Sequence, residues 1–366
     1  MKKTLKTLHL ASFNGNIGDN ANHFGFYKYL HQNQEFHFDI TELEIREFYW
    51  KQRFFNEDFV KLVNSYDLLI VGGGNYFELW VETSPTGTSI AIELELLQKI
   101  QTPILWNALG VDDGQGVTQK NIQKFQKFLD LLIERKDFIS IRNDGAKDTL
   151  LQYIDKKYLQ HIYHSVDAGF FVDIPDASPY YTTKHYIAIN IATDMEEVRF
   201  KDITYKDFIE EWKNFTLEFL KKHETYEVVF VPHIFRDIDF INELLQILPD
   251  SIRRQKISIA PLLHGEKSFY EVMSIYKNAQ VVLANRFHAN VCSIGLGTPT
   301  IGLYNYKQIQ ALYKELNSQE FVNITQKGFS TVLLNNLTPL PYPLTKLKKV
   351  YTEYHLQIIQ WLKDAK

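Results

Sequence analysis

The stretch Asn285-Arg286-Phe287-His288 sets a guanidinium and an imidazole two positions apart, after an apolar strand candidate at 279–283 and ahead of Gly297-Thr298-Pro299. Arginine is a permanently charged fork that grips carboxylate or phosphate, and histidine is the side chain whose proton moves near neutral pH. The pair therefore predicts an anionic substrate and proton transfer. Two more histidines, His233 after Val231-Pro232 and His264 after Leu263, follow strand candidates in the same way, and Arg142 closes another. Carboxylates occur in two glycine-containing loops: Asp19 in Gly15-Asn16-Ile17-Gly18-Asp19, and Asp112 with Asp113 in 110–116. A third loop, Gly72-Gly73-Gly74-Asn75, follows the apolar run 67–71. Each has a plainer reading: a hydrogen-bonded structural histidine, a salt-bridged arginine, a solvated turn aspartate, a wide glycine turn. Several on one edge favour a functional role for at least one. No Cys-x-x-Cys or His-x-x-x-His spacing is present, so no metal site is expected.

These residues need elements that bring them to one edge. Short apolar runs at 5–13, 36–43, 67–71, 103–109 and 138–142, then at 186–192, 227–232, 256–260, 279–283 and 300–304, read as strands buried on both faces. Between them lie helix candidates at 24–30, 48–62, 90–100, 118–135, from about 144, and at 205–222, 237–248 and 267–277. Alternation of this kind predicts an α/β fold with parallel sheets. In such sheets ligands bind at the carboxyl edge of the strands, and the amides that begin the following helices hold anions. The segment 173–184, with two prolines and no apolar period, divides the chain. The expected domains are 1–172 and 185–340, joined by that linker, with an amphipathic helix in 341–366 packing back across both.

Length and composition bound the function. At 366 residues the chain is long for a single core. Apolar residues make up 45%, and 40 basic side chains face 44 acidic ones, so charge gives no support for a nucleic-acid partner. The single Cys292 excludes an intrachain disulfide and reads as a core thiol in a reducing compartment. The basic start Met1-Lys2-Lys3 lacks a following apolar stretch of signal length, and no run is long enough to span a bilayer. The expected location is cytoplasmic, with peripheral attachment to the inner face of the membrane as an option.

In order along the chain, Gly15-Asn16-Ile17-Gly18-Asp19, Gly72-Gly73-Gly74, Ser140-Ile141-Arg142, Asp167-Ala168-Gly169-Phe170, Pro232-His233, Arg286-Phe287-His288-Ala289, Gly297-Thr298-Pro299 and Tyr304-x-x-Lys307 resemble the motifs of the polysaccharide pyruvyl transferase family. The resemblance implies two Rossmann-like doubly wound domains facing across a cleft, a GT-B-like layout, with the acceptor on the first domain and the donor on the second. It implies transfer of a carboxyethylidene group from phosphoenolpyruvate to a sugar or glycan, free or lipid-linked, without a cofactor. On it Arg286 and Arg142 become donor clamps with Phe287 and Lys307 beside them. His288 is the first choice of proton donor and His233 the second; His288 could instead protonate the departing phosphate or bind it. Asp19 or Asp112 would take the proton of the sugar hydroxyl. Gly15, Asn16, Gly18, Gly72, Gly73, Gly74 and Asn75 would line the cleft. The loop 110–116 departs from the family pattern, with two acids and no proline. Two rival readings use the same edge: a GT-B glycosyltransferase with a nucleotide-sugar donor, and a non-catalytic sugar-binding protein.

Overall fold

The apolar runs pair in parallel, as strands without a polar face must when helices cover both sides. The computed structural model describes residues 2–174, 185–263, 265 and 268–365. The chain divides into two compact units: Met1–Asn14, His23–Ala168 and Thr345–Lys366 form the first, and Gly15–Asn22 with Gly169–Leu344 the second.

The first unit contains β1 (Lys3–Ala11), β2 (Phe36–Glu44), β3 (Leu68–Gly72), β4 (Phe77–Glu78), β5 (Ile104–Leu109), β6 (Val111–Asp112), β7 (Phe138–Ile141) and β8 (Ile162–His164). Six of these make a parallel sheet in the order β2-β1-β3-β5-β7-β8, while β4 and β6 pair separately. The helix Gln119–Glu134 buries Phe125, Phe128, Leu129 and Leu132 against this sheet's core. The helix Thr345–Asp364 also belongs to this unit. Its buried Tyr354 hydroxyl meets Ser140 Oγ at 2.7 Å and donates to Asn107 Oδ1 at 2.7 Å, which ties the helix to the ends of β5 and β7.

The second unit contains β9 (Tyr186–Asn190), β10 (Glu227–Phe230), β11 (Ile257–Ile259), β12 (Val281–Ala284), β13 (Thr300–Tyr304) and β14 (Phe321–Asn323). Their order is β11-β10-β9-β12-β13-β14, all parallel, so the winding reverses between β9 and β12. That reversal leaves a crevice at the carboxyl ends of the two strands. The helix Tyr205–Lys222 covers one face with Phe208, Trp212, Phe215 and Phe219. Gly302 in β13 is required by packing, since a Cβ there would stand 2.2 Å from the Tyr313 ring.

Several expectations are corrected. The helix at 90–100 shrinks to Leu94–Gln98. Upstream of it Thr86 Oγ1 donates to the Ile90 carbonyl at 2.7 Å and Ser89 Oγ to the Tyr76 carbonyl at 2.9 Å, so hydroxyls take acceptors that compete with a helix. The helix at 48–62 is two pieces, Arg46–Tyr49 and Glu57–Val63, because Asn56 caps the second through the amides of Asp58 and Phe59. Gly15–Asn22 groups with the second unit and the terminal helix with the first. Of the expected linker, residues 175–184 lie outside the described residues.

Candidate functional site

An asparagine stands at the end of β9, just past β12 and just past β13: Asn190, Asn285 and Asn305. All are buried, and each closes the strand ends onto one another. Asn190 Nδ2 donates to the Val231 carbonyl at 2.9 Å, and its Oδ1 accepts the Arg286 amide at 2.9 Å. Asn285 Oδ1 accepts the Ala192 amide at 2.8 Å, while its Nδ2 donates to the Leu303 carbonyl at 2.6 Å and Asn305 Oδ1 at 3.0 Å. Side-chain amides replace the ladder where strands diverge, and they fix the backbone from which Arg286 projects.

Arg286 is the N-cap of the helix Phe287–Gly295. Its Nε donates to Asp237 Oδ2 at 2.9 Å, and its Nη2 reaches Asp194 Oδ1 at 3.0 Å and also Asp237 Oδ1. Burial alone would lower its pKa, but the charges of Asp237 and Asp194 raise it above the ordinary arginine value. Asp237 is fixed from behind, since its Oδ2 accepts the amides of His233 at 2.8 Å and Ile234 at 3.3 Å. A second guanidinium, Arg199, donates through Nη1 to Asn305 Oδ1 at 2.9 Å, lies 3.5 Å from Asp194 and stacks 4.2 Å from the Tyr306 ring centre. Burial opposes the ionised form of Asp194, yet Arg286 and Arg199 hold its carboxyl below the usual range. Two cations and two anions thus cancel within the cluster.

His288 begins the same helix and is buried, its Nδ1 3.4 Å from Asp19 Oδ1. Asp19 lies in the first turn of the helix Ile17–Gln32, and just ahead of that helix Asn16 Oδ1 accepts the Gly18 amide at 2.9 Å. Gly18 faces the imidazole, and a Cβ on it would lie 2.3 Å from His288 Cβ. Glycine here permits the approach that brings carboxylate and imidazole together. The second-choice donor, His233, is fully buried with Nε2 2.8 Å from the Tyr276 hydroxyl. Burial, then Arg286 and His288, push its pKa well below the usual histidine value, so it is neutral near pH 7. Phe287 is buried with its ring 5.4 Å from that of His288, and Lys307 starts the helix Lys307–Leu316. His264 lies outside the described residues.

Gly15 also belongs to the second unit, and the remaining predicted residues fall in the first. Arg142 is buried between Asp144 at 2.8 Å and Asp167 at 3.2 Å, the salt-bridged state of its plainer reading. Gly72 is needed where β3 passes β5, because a Cβ would sit 2.3 Å from the Asn107 carbonyl oxygen, and Gly73 turns the chain at φ +83°. Asp112 accepts the Gly114 amide at 2.8 Å and lies 3.4 Å from Asn75 Nδ2. Sequence reasoning missed Asp194, Arg199 and Asp237. The asparagines that end β9 and β12 were a usable signal for the edge, whereas Arg199 lies in a charged segment with no strand-end pattern. Among the described residues no group of three or more His, Cys, Asp or Glu could hold a metal, and no helix is long and apolar enough to cross a membrane.

The sequence profile described as polysaccharide pyruvyl transferase matches residues 16–307. No curated protein matches the chain. Among solved structures it is similar to a putative UDP-N-acetylglucosamine 2-epimerase from Listeria monocytogenes, with TM-score 0.57, 11% identity and coverage of 98% of this chain and 96% of that one. The UDP-GlcNAc 2-epimerase of Methanocaldococcus jannaschii gives TM-score 0.52 at 13% identity, covering 97% and 99% of the two chains. The enzyme from Neisseria meningitidis gives 0.52 at 13%, covering 96% and 100%. At such identities the likeness shows the fold, a GT-B-type α/β architecture, and nothing of the substrate.

Proposed function

The chain belongs to the polysaccharide pyruvyl transferase family, and on that premise we propose that this transferase moves a carboxyethylidene group from phosphoenolpyruvate onto two hydroxyls of a sugar, releasing phosphate. The acceptor belongs to a cell-surface polysaccharide or its lipid-linked precursor. The reaction takes place in the cytoplasm, peripherally at the inner face of the membrane where the precursor is lipid-linked. The observation that carries this reading is the convergence of Arg286, His288 and Asp19 on the first turn of one helix.

Phosphoenolpyruvate needs cationic and amide donors for a carboxylate and a phosphate, and a proton for its methylene carbon. Arg286 supplies the fork and the helix start at Phe287–Gly295 the amides. Because Asp194 and Asp237 neutralise the two arginines, the donor takes the place of the more accessible aspartate, Asp194, whose side chain is 16% exposed against 1% for Asp237. Arg142, buried between two aspartates, holds the first unit's strand edge and leaves the donor to Arg286. His288, facing Asp19, gives its proton to the methylene carbon. The first sugar oxygen bonds to C2 and loses its proton; the second does the same as the C2–O bond to phosphate breaks. One of the two hydroxyl protons replaces the one spent by His288, and the other leaves with phosphate. Asp19 orients and balances the imidazolium.

Calorimetric titration with phosphoenolpyruvate against UDP-sugars tests the donor: binding of the first alone supports the reading, and binding of a nucleotide-sugar alone turns it to glycosyl transfer. His288→Ala lowers phosphate release by about a hundredfold or more while circular dichroism stays unchanged. A variant with near wild-type rate would remove His288 from proton transfer.

A further inference from the structure

Between β2 and the helix Glu57–Val63 the chain reads Phe48-Tyr49-Trp50-Lys51-Gln52-Arg53-Phe54-Phe55, in which aromatic rings alternate with cations. The rings divide by direction. Phe48 and Phe55 stack at 4.3 Å and close on the buried Phe59 at 5.6 and 5.0 Å, so they root the segment in the first unit's core. Trp50 and Phe54 turn outward, 56% and 60% exposed, and Tyr49, whose hydroxyl bonds to Ser89, shows part of its ring. Such exposure has a solvation cost that polar residues at a loop tip do not incur. Elsewhere in this unit the exposed large apolar side chains among the described residues, Tyr163 and Leu356, stand singly.

The backbone holds the tip in shape. The Arg46 carbonyl accepts the Trp50 amide at 2.8 Å, and the Glu47 carbonyl accepts the amides of Gln52 at 2.8 Å and Arg53 at 3.0 Å. Lys51 takes a left-handed conformation, φ +59°, which a residue with a side chain adopts at a cost. At the base, Glu44 accepts the amides of Phe13, Asn14 and Arg46 at 2.8, 2.7 and 2.9 Å.

Charge and area select what covers the rings. Over 46–55 the cations Arg46, Lys51 and Arg53 face one acid, Glu47, which pairs with Arg53. The acids that follow have cations of their own, Glu57 with Lys99 and Asp58 with Lys61. Lys51 is exposed and has no acid partner among the described residues. The whole chain carries a net charge of −4, so an attraction to anions at this tip is local. Three partly exposed rings offer on the order of 300 Å², well short of the roughly 800 Å² per side of a stable protein interface. Rings beside lysine and arginine suit the headgroup region of a bilayer, where the rings enter the boundary with the acyl chains and the cations meet lipid phosphates. We propose that the tip 49–54 docks the first unit on an anionic bilayer, with Trp50 and Phe54 entering at headgroup depth and Lys51 and Arg53 facing lipid phosphates. Its use, bringing the chain to a lipid-linked acceptor, rests on the pyruvyl-transfer reading above; the docking itself does not.

Flotation of the full chain with vesicles tests it. The wild type is expected to float with vesicles of phosphatidylcholine and phosphatidylglycerol. The double variant Trp50→Ala, Phe54→Ala loses at least about tenfold in partition coefficient with an unchanged melting temperature. Lys51→Gln loses about fivefold on the same vesicles and nothing on phosphatidylcholine alone. Trp50→Phe keeps the partition within about twofold yet loses the part of the fluorescence that brominated acyl chains quench in the wild type. A wild type that stays in the solvent, or a double variant that floats equally well, overturns the inference. So does a dimer that the double variant loses in sedimentation velocity, since a second copy then covers the rings. Where the double variant melts early, the quenching decides: a Trp50 that brominated lipid leaves unquenched overturns the docking. Titration of phosphoenolpyruvate in free solution is separate from all of these, so a chain that floats but binds no phosphoenolpyruvate overturns only the pyruvyl-transfer reading.

Discussion

Asp194 and Asp237 both bind Arg286, but they are not equivalent partners. Asp237 is almost wholly enclosed and accepts two backbone amides besides the guanidinium, so its charge is part of the fold. Removing one member of a buried ion pair leaves the other uncompensated. Asp237→Asn is therefore expected to cost about 3 kcal/mol in urea unfolding and to weaken phosphoenolpyruvate binding, because the fork loses its orientation. Asp194 is more exposed and holds Arg286 through one oxygen at 3.0 Å. On the donor-exchange reading it competes with the substrate for Nη2. Asp194→Asn then tightens phosphoenolpyruvate binding by about tenfold, the equivalent of ~1.4 kcal/mol, with little change in stability. Calorimetry on the two variants separates the cases: weakened binding in both would mean that Asp194 positions Arg286 rather than competing with the donor.

Two elements make the imidazole site, the loop with its helix start at Ile17 and the helix Phe287–Gly295, and Gly18 sets their approach. Alanine at 18 would place a methyl 2.3 Å from His288 Cβ, too close unless one element moves. A shift of about 1 Å at a catalytic group costs on the order of a hundredfold in rate, so Gly18→Ala should lose most turnover with a melting temperature near that of the wild type. Retained turnover would show that the 3.4 Å contact of His288 with Asp19 is dispensable. The same elements show what could be read in the sequence. Helix Tyr205–Lys222 was legible to the residue because its apolar stripe and the Thr204 cap agree. The strand ends carrying Arg286 and His288 were legible because β12 is short, apolar and followed by polar residues. The start of the expected helix at 90–100 was not, because the hydroxyls of Thr86 and Thr88 bond to each other and that of Thr86 to the Ile90 carbonyl, a competition invisible to apolar periodicity. Arg199 was hidden likewise: its partners Asp194, Asn305 and Tyr306 converge only through the fold.

Across the whole molecule the sequence shows its α/β class through alternation, yet which carboxylate faces which cation depends on contacts remote in sequence, such as the 49 positions between Asp237 and Arg286. The same remoteness governs how the fold responds to acid. His9, His233 and His355 are buried, and burial lowers the pKa of each below the ordinary histidine value, that of His355 to about 4. His355 sits on the helix Thr345–Asp364 with both ring nitrogens buried and lacking hydrogen-bond partners among the described residues. Its folded pKa is below the unfolded value of about 6.5, so as pH falls through that value the unfolded chain takes up the proton and the folded chain does not. Stability thus falls between about pH 6.5 and 4 and levels off below, where both states are protonated. At pH 5 the lost stability from this residue alone is about 2 kcal/mol, from roughly 1.5 pH units at 1.36 kcal/mol each. Phenylalanine fits a site already lined by the Tyr29 ring, 6.1 Å from the imidazole, and it carries no proton to lose. His355→Phe should therefore lose about 2 kcal/mol less than the wild type between pH 8 and pH 5 in urea unfolding, while the two differ little in slope above pH 7. Equal losses in the two proteins would mean that the imidazole is hydrated or partnered in solution, and that the acid response belongs to His9 and His233.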